Sequence, residues 1–136
     1  EILRLLRLYK SQLDNSHFTP IMLAAEAALL GDQTWLEGRN KIYQDRRDAV
    51  VKPLKELGFK FEVPKAALYV WAGLPDGWRD DIAFCNDLLR QTGVSITPGV
   101  VYGKSGAGFI RISLVTSKDN LTQAMQRLKV WLEEQA

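Results

Sequence analysis

Apolar residues recur at intervals of three or four along much of the chain, which is the spacing of one face of a helix. Residues 2–13, residues 32–57 and the segment after Ser117 show this spacing, and an alanine-rich run, PIMLAAEAALL, lies between the first two. The last segment has the clearest stripe, made of Leu121, Ala124, Met125, Leu128, Trp131 and Leu132. We therefore predict four helices in these segments, with Ser117 capping the last of them.

Other residues predict how these helices begin, bend or end. Thr19 can cap a helix that has Pro20 in its first turn, where a missing amide hydrogen costs little. Gly31 should end that helix in the left-handed conformation. Pro53 lies inside the third segment, and a proline within a helix costs about 3 kcal/mol or more. We expect a kink near Val50, or two helices.

The apolar pattern changes period after Gly58. The runs FKFEV, ALYVWAGL, VSIT and FIRISLV are typical of strands, and Asp80 or Asp81 begins a helix through Leu89 that Gly93 closes. The order from Phe59 is β-β-α-β-β-α. The predicted fold class is α/β, as an α+β two-layer sandwich: a small mixed sheet with helices packed on it, preceded by a long helix.

The composition is that of an ordinary globular domain. The chain has 136 residues, 46% hydrophobic and 25% charged, with a formal net charge of +2. This length can bury a sizeable core without disulfides or metal. Because the basic and acidic residues are interleaved, we expect no nucleic-acid partner and no membrane partner. With no apolar run long enough to span a bilayer and no signal-peptide pattern, a cytoplasmic protein is expected.

Single residues exclude some kinds of site and indicate a longer chain. Cys85 is the only cysteine and His17 the only histidine, so an internal disulfide, a cysteine-based metal site and a multi-histidine metal centre are excluded. We interpret Cys85 as a small core residue. The sequence opens at Glu1 inside a helical repeat, without methionine, which suggests a piece cut from a longer chain.

The run GVVYGKS has the look of a phosphate-binding loop. Such a loop needs two glycines separated by four residues, followed by lysine and serine or threonine, between a strand and a helix. Pro98 stands where the first glycine is required, and the residues after Ser105 have the pattern of a strand. We therefore interpret the glycines as a sharp connection between two strands and Lys104 as a solvated side chain.

Arg111 is a single cation within the apolar run FIRISLV. Side chains alternate across a strand, so Phe109, Arg111 and Ser113 share one face while Ile110 and its alternate neighbours face the core. On this pattern alone, a solvated arginine on the open face is favoured over a ligand group. An arginine fork also matches a carboxylate, so an anion site is the alternative.

Several motifs occur together in one order along the chain. They are KSQLDNSHFTPIMLAAEAALLG, YQDRRDAVVKPLKELGF, PKAALYVWAGLP, GVSITPGVVYG, GAGFIRISLV and NLTQAMQRL. Together they resemble class I/II aminotransferases, the fold-type I pyridoxal-phosphate enzymes, over nearly all of the chain, and most closely the aspartate/diaminopimelate-type branch. The resemblance implies a remnant of the large cofactor-binding domain in 1–31, a long interdomain helix in 32–57 and the C-terminal small domain in 58–136.

The resemblance also implies roles for three residues in binding an amino-acid or 2-oxo-acid substrate. Arg111 matches the arginine that binds the substrate's α-carboxylate. Tyr102 matches an aromatic near the substrate, and an equally favoured interpretation is a packed turn aromatic. Asn15 matches a segment that faces the active site of the partner subunit in a homodimer. His17 is interpreted as an interface or surface residue, and Arg46 and Arg47 as members of structural salt bridges.

The cofactor implied by the resemblance is pyridoxal 5'-phosphate, which acts as an electron sink. In this family the Schiff-base lysine, the aspartate beside the pyridine nitrogen and most phosphate-binding groups precede the part that this chain matches. The expectation is therefore an aminotransferase in which this part packs on a large domain. By itself the chain is expected to be inactive.

Two other hypotheses are compatible with the sequence. The first is a stand-alone α+β module, regulatory or ligand-binding, that binds a small carboxylate at Arg111. The second is a remnant that pairs with itself through the apolar helices that carry Leu3, Leu6, Ile21 and Met22.

Overall fold

The computed structural model describes residues 1–14 and 17–135, and the chain divides into two compact units, Glu1–Glu37 and Gly38–Ala136. The first unit contains helices α1 (Ile2–Leu13) and α2 (Thr19–Leu30), and helix α3 (Thr34–Glu56) begins within it and continues into the second. The second unit further contains β1 (Tyr69–Gly73), α4 (Asp81–Thr92), β2 (Thr97–Pro98), β3 (Phe109–Ser113) and α5 (Lys118–Glu134).

Helix α1 has the predicted bounds, whereas both predicted ends of α2 are wrong in detail. Phe18 is the N-cap, and Thr19 is already the first helical residue, so its hydroxyl accepts no capping hydrogen bond. A capping side chain must stand on non-helical backbone, which Thr19 does not have. Gly31 is extended, with φ −75° and ψ −178°, rather than left-handed.

Helix α3 is one continuous helix of 23 residues that runs through Pro53. The alternative of two helices is therefore wrong. Pro53 lies in the last turn, three residues before the end, and has no amide hydrogen to donate to the Ala49 carbonyl, so one helical hydrogen bond is absent. Val50, Val51 and Leu54 are buried around it, and this burial favours an unbroken helix.

The sheet has three strands in the order β1-β3-β2, and both pairings are antiparallel. The two-layer fold class is confirmed, but no parallel pair occurs in the described residues, so the sheet is not mixed. The run FKFEV forms no strand; Lys60 alone bridges Gly73. Phe59 is 5% exposed and packs in the core, and this packing explains the apolar signal of that run.

The core of the second unit lies between one face of the sheet and helices α3, α4 and α5. The sheet contributes Val70, Ala72, Ile110 and Ile112; the helices contribute Val50, Val51, Leu54, Phe84, Cys85, Leu88, Leu121, Met125, Leu128 and Trp131. Phe84 meets Trp131 edge to face at 5.1 Å between ring centroids, and Trp78 at 4.9 Å. The stripe predicted on the last helix is thus the buried face of α5.

The caps predicted for α4 and α5 are confirmed. The Asp80 carboxylate accepts hydrogen bonds from the amides of Ile82 and Ala83 at 2.9 and 3.0 Å, and the helix continues to Thr92 before Gly93, in the left-handed conformation with φ 72°, ends it. Ser117 accepts a hydrogen bond from the Asn120 amide at 3.2 Å. Asp80 and Ser117 therefore fix where the two helices begin, and Gly93 fixes where α4 ends.

Candidate functional site

Arg111 lies on the central strand of the sheet, opposite Trp71 of β1 and Thr97 of β2. Its neighbours Ile110 and Ile112 are 0% and 3% exposed, whereas Arg111 is half-buried on the other face. The alternation predicted from the sequence is confirmed. A central strand holds the Arg111 backbone on both sides, so the direction of its side chain is well defined.

Four aromatic residues surround Arg111 on this open face, and we call them the aromatic frame: Tyr69, Trp71, Tyr102 and Phe109. The guanidinium carbon of Arg111 lies 4.1 Å from the ring centroid of Tyr69 and 4.6 Å from that of Tyr102. Both distances are those of cation–π contacts, worth about 0.5–2 kcal/mol each depending on how dry the site is. The frame orients the guanidinium.

The rings of the aromatic frame also contact one another. Trp71 stacks on Phe109 with ring centroids 5.7 Å apart and an interplanar angle of 17°, and it meets Tyr102 edge to face at 5.7 Å. Tyr69, Trp71 and Tyr102 keep 38–50% of their surface exposed. The frame is therefore a partly open apolar wall with one cation at its centre.

Arg111 lacks an anionic partner among residues 1–14 and 17–135. It forms no ion pair within this part of the chain, and its Nε is buried with no hydrogen-bond acceptor there. A buried donor left unsatisfied costs about 1–3 kcal/mol. A carboxylate that binds the fork of Arg111 side-on would satisfy Nε and a terminal nitrogen together.

The loop between β2 and β3 brings Tyr102 over Arg111. It consists of two short 3-10 turns, Gly99–Tyr102 and Lys104–Gly106. The backbones of Gly99 and Gly106 touch, since a Cβ added at either would lie 2.1–2.2 Å from the carbonyl oxygen of the other. The loop leads into a strand rather than a helix and Lys104 is exposed, which agrees with the rejection of a phosphate-binding loop.

A buried carboxylate holds both ends of this loop. Asp81 is 4% exposed; its Oδ2 accepts a hydrogen bond from the Val100 amide at 2.8 Å and its Oδ1 accepts one from the Gly108 amide at 3.2 Å. Hydrogen bonds to a charged acceptor are the stronger kind, at about 1.5–3 kcal/mol each. Asp81 therefore ties the first turn of α4 to the loop that carries Tyr102.

The structure brings two of the three predicted site residues together. Arg111 and Tyr102 are in contact, whereas Asn15 lies outside the described residues. His17 is exposed. Sequence analysis missed Tyr69 and Trp71, although they alternate with the buried Val70 and Ala72 in the run LYVWA. Alternation in this run and in FIRIS indicates which residues share a face, but only the register of β1 on β3 places Tyr69 and Trp71 beside Arg111.

The adjacent arginines Arg46 and Arg47 of α3 differ from each other. Arg47 forms the predicted salt bridge, with Asp48 at 2.7 Å, and also donates to the Pro64 carbonyl at 3.3 Å. Arg46 instead donates to the carbonyls of Leu114 and Val115, both at 3.2 Å. The prediction of a salt bridge for Arg46 is therefore wrong, because the carbonyls at the end of β3 are within its reach.

Cys85 is a core residue, as predicted. It is 6% exposed, and burial, together with the charge of Asp81, raises the pKa of its thiol to about 12. A thiol with this pKa is protonated at neutral pH and is a poor nucleophile. Cys85 therefore takes no part in the candidate site.

Two kinds of site do not occur in the part of the chain that the structure describes. No group of three or more histidine, cysteine, aspartate or glutamate side chains is arranged to hold a metal ion. No helix there is long enough and apolar enough to cross a membrane.

A concavity of about 730 Å³ lies beside α3. Its lining includes Arg39, Tyr43, Arg47 and Lys65, and not Arg111. Two of these cations already have partners, Arg47 through Asp48 and Arg39 through its own contacts. The guanidinium of Arg111 has no anionic partner in the described residues, which makes the aromatic frame the stronger candidate site.

Comparison with known families identifies the chain. Residues 4–128 match the family model described as aminotransferase class I and II. The chain belongs to this family. The match includes every residue of the aromatic frame, Arg111 and Asp81, and it confirms the family inferred from the sequence motifs.

Relatives within the aminotransferase family include LL-diaminopimelate aminotransferases. That of Natranaerobius thermophilus is 43% identical over 120 residues, which are 88% of this chain and 31% of the relative. That of Moorella thermoacetica is 39% identical over 129 residues, 95% of this chain and 33% of the relative. The chain thus spans about a third of the length of these relatives.

Solved aminotransferase structures share the fold of this chain. A probable N-succinyldiaminopimelate aminotransferase from Thermus thermophilus has a TM-score of 0.75 at 29% identity, covering 93% of this chain and 33% of its own. An aromatic aminotransferase from Pyrococcus horikoshii has a TM-score of 0.73 at 35% identity, covering 82% of this chain and 31% of its own. These similarities support the predicted fold class.

Proposed function

We propose that this chain is the C-terminal portion of a pyridoxal-phosphate-dependent aminotransferase, which transfers an amino group between an amino acid and a 2-oxo acid. The family match and the two relatives support this activity. The observation that carries the assignment of a site to this chain is Arg111, a cation without an anionic partner in the described residues, held in the aromatic frame.

Arg111 is proposed to bind the α-carboxylate that both substrates share. A fork that makes two hydrogen bonds to a carboxylate restricts its rotation, which a point charge cannot do. The reaction depends on the orientation of the substrate's Cα bonds, so a fixed carboxylate accelerates it. The half-buried position strengthens the interaction, because fewer waters compete for the guanidinium.

Tyr102 is proposed to form one wall of the substrate site, since its ring covers one side of the guanidinium and half of it remains exposed. Asn15 is proposed to reach the partner subunit's active site in a homodimer. The proposed division of the chain is a large-domain remnant in 1–31, the interdomain helix in 32–57 and the small domain in 58–136. A cytoplasmic location stays a prediction.

Pyridoxal phosphate is the proposed cofactor, and it supplies the electron sink for the transfer. We propose that its Schiff-base lysine does not lie among the residues that the structure describes. Every lysine in this part of the chain is exposed, and Lys10, Lys41, Lys60 and Lys129 pair with carboxylates. A lysine that reacts with a carbonyl group needs a desolvated pocket. We therefore assign this chain to substrate binding and not to cofactor binding.

The substrate class is proposed from the relatives, which are named for LL-diaminopimelate. This amino acid has one amino and one carboxyl group at each end, and Arg111 would bind the carboxylate at the reacting end. The alternative function, a stand-alone small-molecule-binding or regulatory module, is not favoured. The family model, both relatives and both solved structures described above are aminotransferases.

The test uses the complete protein, loaded with pyridoxal phosphate, and the variants Arg111→Ala and Arg111→Lys. We expect kcat/KM with LL-diaminopimelate and a 2-oxo acid to fall roughly 100-fold or more in the alanine variant, because charged hydrogen bonds and substrate orientation are lost together. The lysine variant should recover only part, since it keeps the charge without the fork.

Arg90→Ala is the matched control, because Arg90 is an exposed arginine in the last turn of α4. It should leave kcat/KM unchanged. Ordinary activity in Arg111→Ala would contradict the assigned role of Arg111. No transfer by the unaltered protein with any amino acid would contradict the activity itself.

A further inference from the structure

We propose that Asp81 is a positioning residue for the substrate-carboxylate site, acting through the loop that carries Tyr102. This inference rests on the proposed function of Arg111. It concerns a residue that touches neither Arg111 nor any member of the aromatic frame through a hydrogen bond of its own.

The Asp81 carboxylate is buried without a counter-ion among the described residues. Asp81 is 4% exposed, and no cation pairs with it in residues 1–14 and 17–135. Burying a carboxylate is costly unless hydrogen bonds compensate. Within the described residues, the amides of Val100 and Gly108 donate to its side chain, so its hydrogen bonds are directed at the loop.

The neighbouring carboxylate shows that Asp81 is not needed to cap the helix. Asp80 already accepts hydrogen bonds from two amides of the first turn of α4. Asp81 lies one residue later and contacts residues 19 and 27 positions away in sequence. Two adjacent aspartates therefore have separate tasks, one in the helix and one in the loop.

The geometry of the loop explains how Asp81 can act at a distance. Val100 and Gly108 lie near the two ends of the loop, on either side of Tyr102, and Gly99, next to Val100, touches Gly106. A single carboxylate thus closes the loop at its base. Tyr102 projects from the closed loop onto the guanidinium of Arg111, 4.6 Å from its ring centroid.

The first measurement is amide hydrogen exchange in the complete protein, which needs no activity. Asp81→Asn preserves the size of the side chain but replaces one acceptor oxygen with an NH₂ group that faces an amide donor. We expect exchange at Val100 and Gly108 to be about ten-fold faster, as the loss of one charged hydrogen bond predicts. Asp80→Asn is the control: it removes the adjacent carboxylate charge but keeps an oxygen that can cap α4, and it should leave both amides protected.

The second measurement separates positioning from a general loss of stability. We expect Asp81→Asn to raise KM for the amino acid and the oxo acid about ten-fold while kcat changes less. In a Tyr102→Leu background, the same substitution should change KM by no more than about two-fold, because residues that act through one another are not additive. Asp80→Asn should leave KM unchanged in both backgrounds.

The outcomes are decisive in both directions. Faster exchange, together with a KM effect that disappears in the Tyr102→Leu background, supports the proposal. Unchanged exchange, or faster exchange with unchanged KM, overturns it. If Asp81→Asn does not fold, Val100→Pro removes the shorter hydrogen bond from the donor side. Proline has no amide hydrogen, so this variant is compared by exchange at Gly108 and by KM. Failure of the Arg111→Ala test would remove the proposed function, while the exchange result still decides whether Asp81 holds the loop.

Discussion

The two compact units of the chain differ in how far their apolar residues are buried. Helices α1 and α2 contain no buried residue, and Leu3, Ile21 and Leu23 are 59–72% exposed. The unit that begins at Gly38 buries a continuous core around Trp131 and Phe84. Apolar content alone therefore does not make a core; the residues must come from elements that can face one another.

The difference also concerns the kind of helix. The residues of α2 are apolar on all sides, and such a helix is typical of one that is covered from every direction. Helix α5 has one apolar stripe and one polar side, which suits a helix packed on a sheet with its other face in water. The apolar face of α5 is thus covered within the second unit, whereas α2 has the pattern of a helix that is covered by further protein.

The largest expected effect is on the free energy of unfolding, and it should differ between the two units. Trp131→Ala should reduce the free energy of unfolding of this chain by about 3–5 kcal/mol, because it empties the centre of the aromatic core. Leu23→Ala, on the exposed α2, should change it by no more than about 0.5 kcal/mol. Urea denaturation followed by circular dichroism measures both. Equal losses would show that α2 has a core of its own.

A smaller effect on stability is expected when two glycines of the second unit are replaced by alanine. Gly106→Ala should cost about 1–3 kcal/mol, because its methyl group would lie 2.1 Å from the Gly99 carbonyl oxygen. Gly38→Ala, in the helical backbone of α3 with no atom within 4 Å of the new methyl, should instead stabilise by about 0.4–1 kcal/mol. Thermal unfolding of the two variants compares them. A stable Gly106→Ala variant would contradict the close contact in the loop.

An effect confined to alkaline pH concerns the thiol in the core. The pKa of Cys85 is raised from 9.0 to about 12 in the folded chain, chiefly by burial. Above pH 9 the unfolded chain loses this proton and the folded chain keeps it, so stability should fall as pH rises from 9 towards 12. The unfolding free energy of Cys85→Ala, measured over the same range, should fall less steeply. Parallel slopes for the two proteins would contradict the burial of the thiol.

Helix ends and the buried stripe of α5 could be predicted where a local rule decides them. Asp80, Gly93 and Ser117 act within their own turn, and all three have the predicted role. Thr19 does not, because whether it caps depends on whether the helix begins one residue earlier. The run FKFEV predicts a strand because apolar and charged residues alternate in it; Phe59 enters the core, but the run forms only the single bridge from Lys60 to Gly73.

The candidate site was predictable only in part, for a related reason. Arg111 and Tyr102 lie in one stretch of sequence, so a motif can name both. Tyr69 and Trp71 lie beside Arg111 only because of the register of β1 on β3, which cannot be read from the sequence. Asp81 was recognisable as a residue near a helix start, but its hydrogen bonds to Val100 and Gly108 require the folded loop.

The contact between Gly99 and Gly106 limits how this protein can be altered by mutation. Neither position tolerates a side chain, so variation in this loop is confined to residues whose side chains point outward, chiefly Val101 and Tyr102, which are 66% and 50% exposed. A library intended to change substrate preference from this side of the sheet is therefore best restricted to those two positions, with both glycines left untouched.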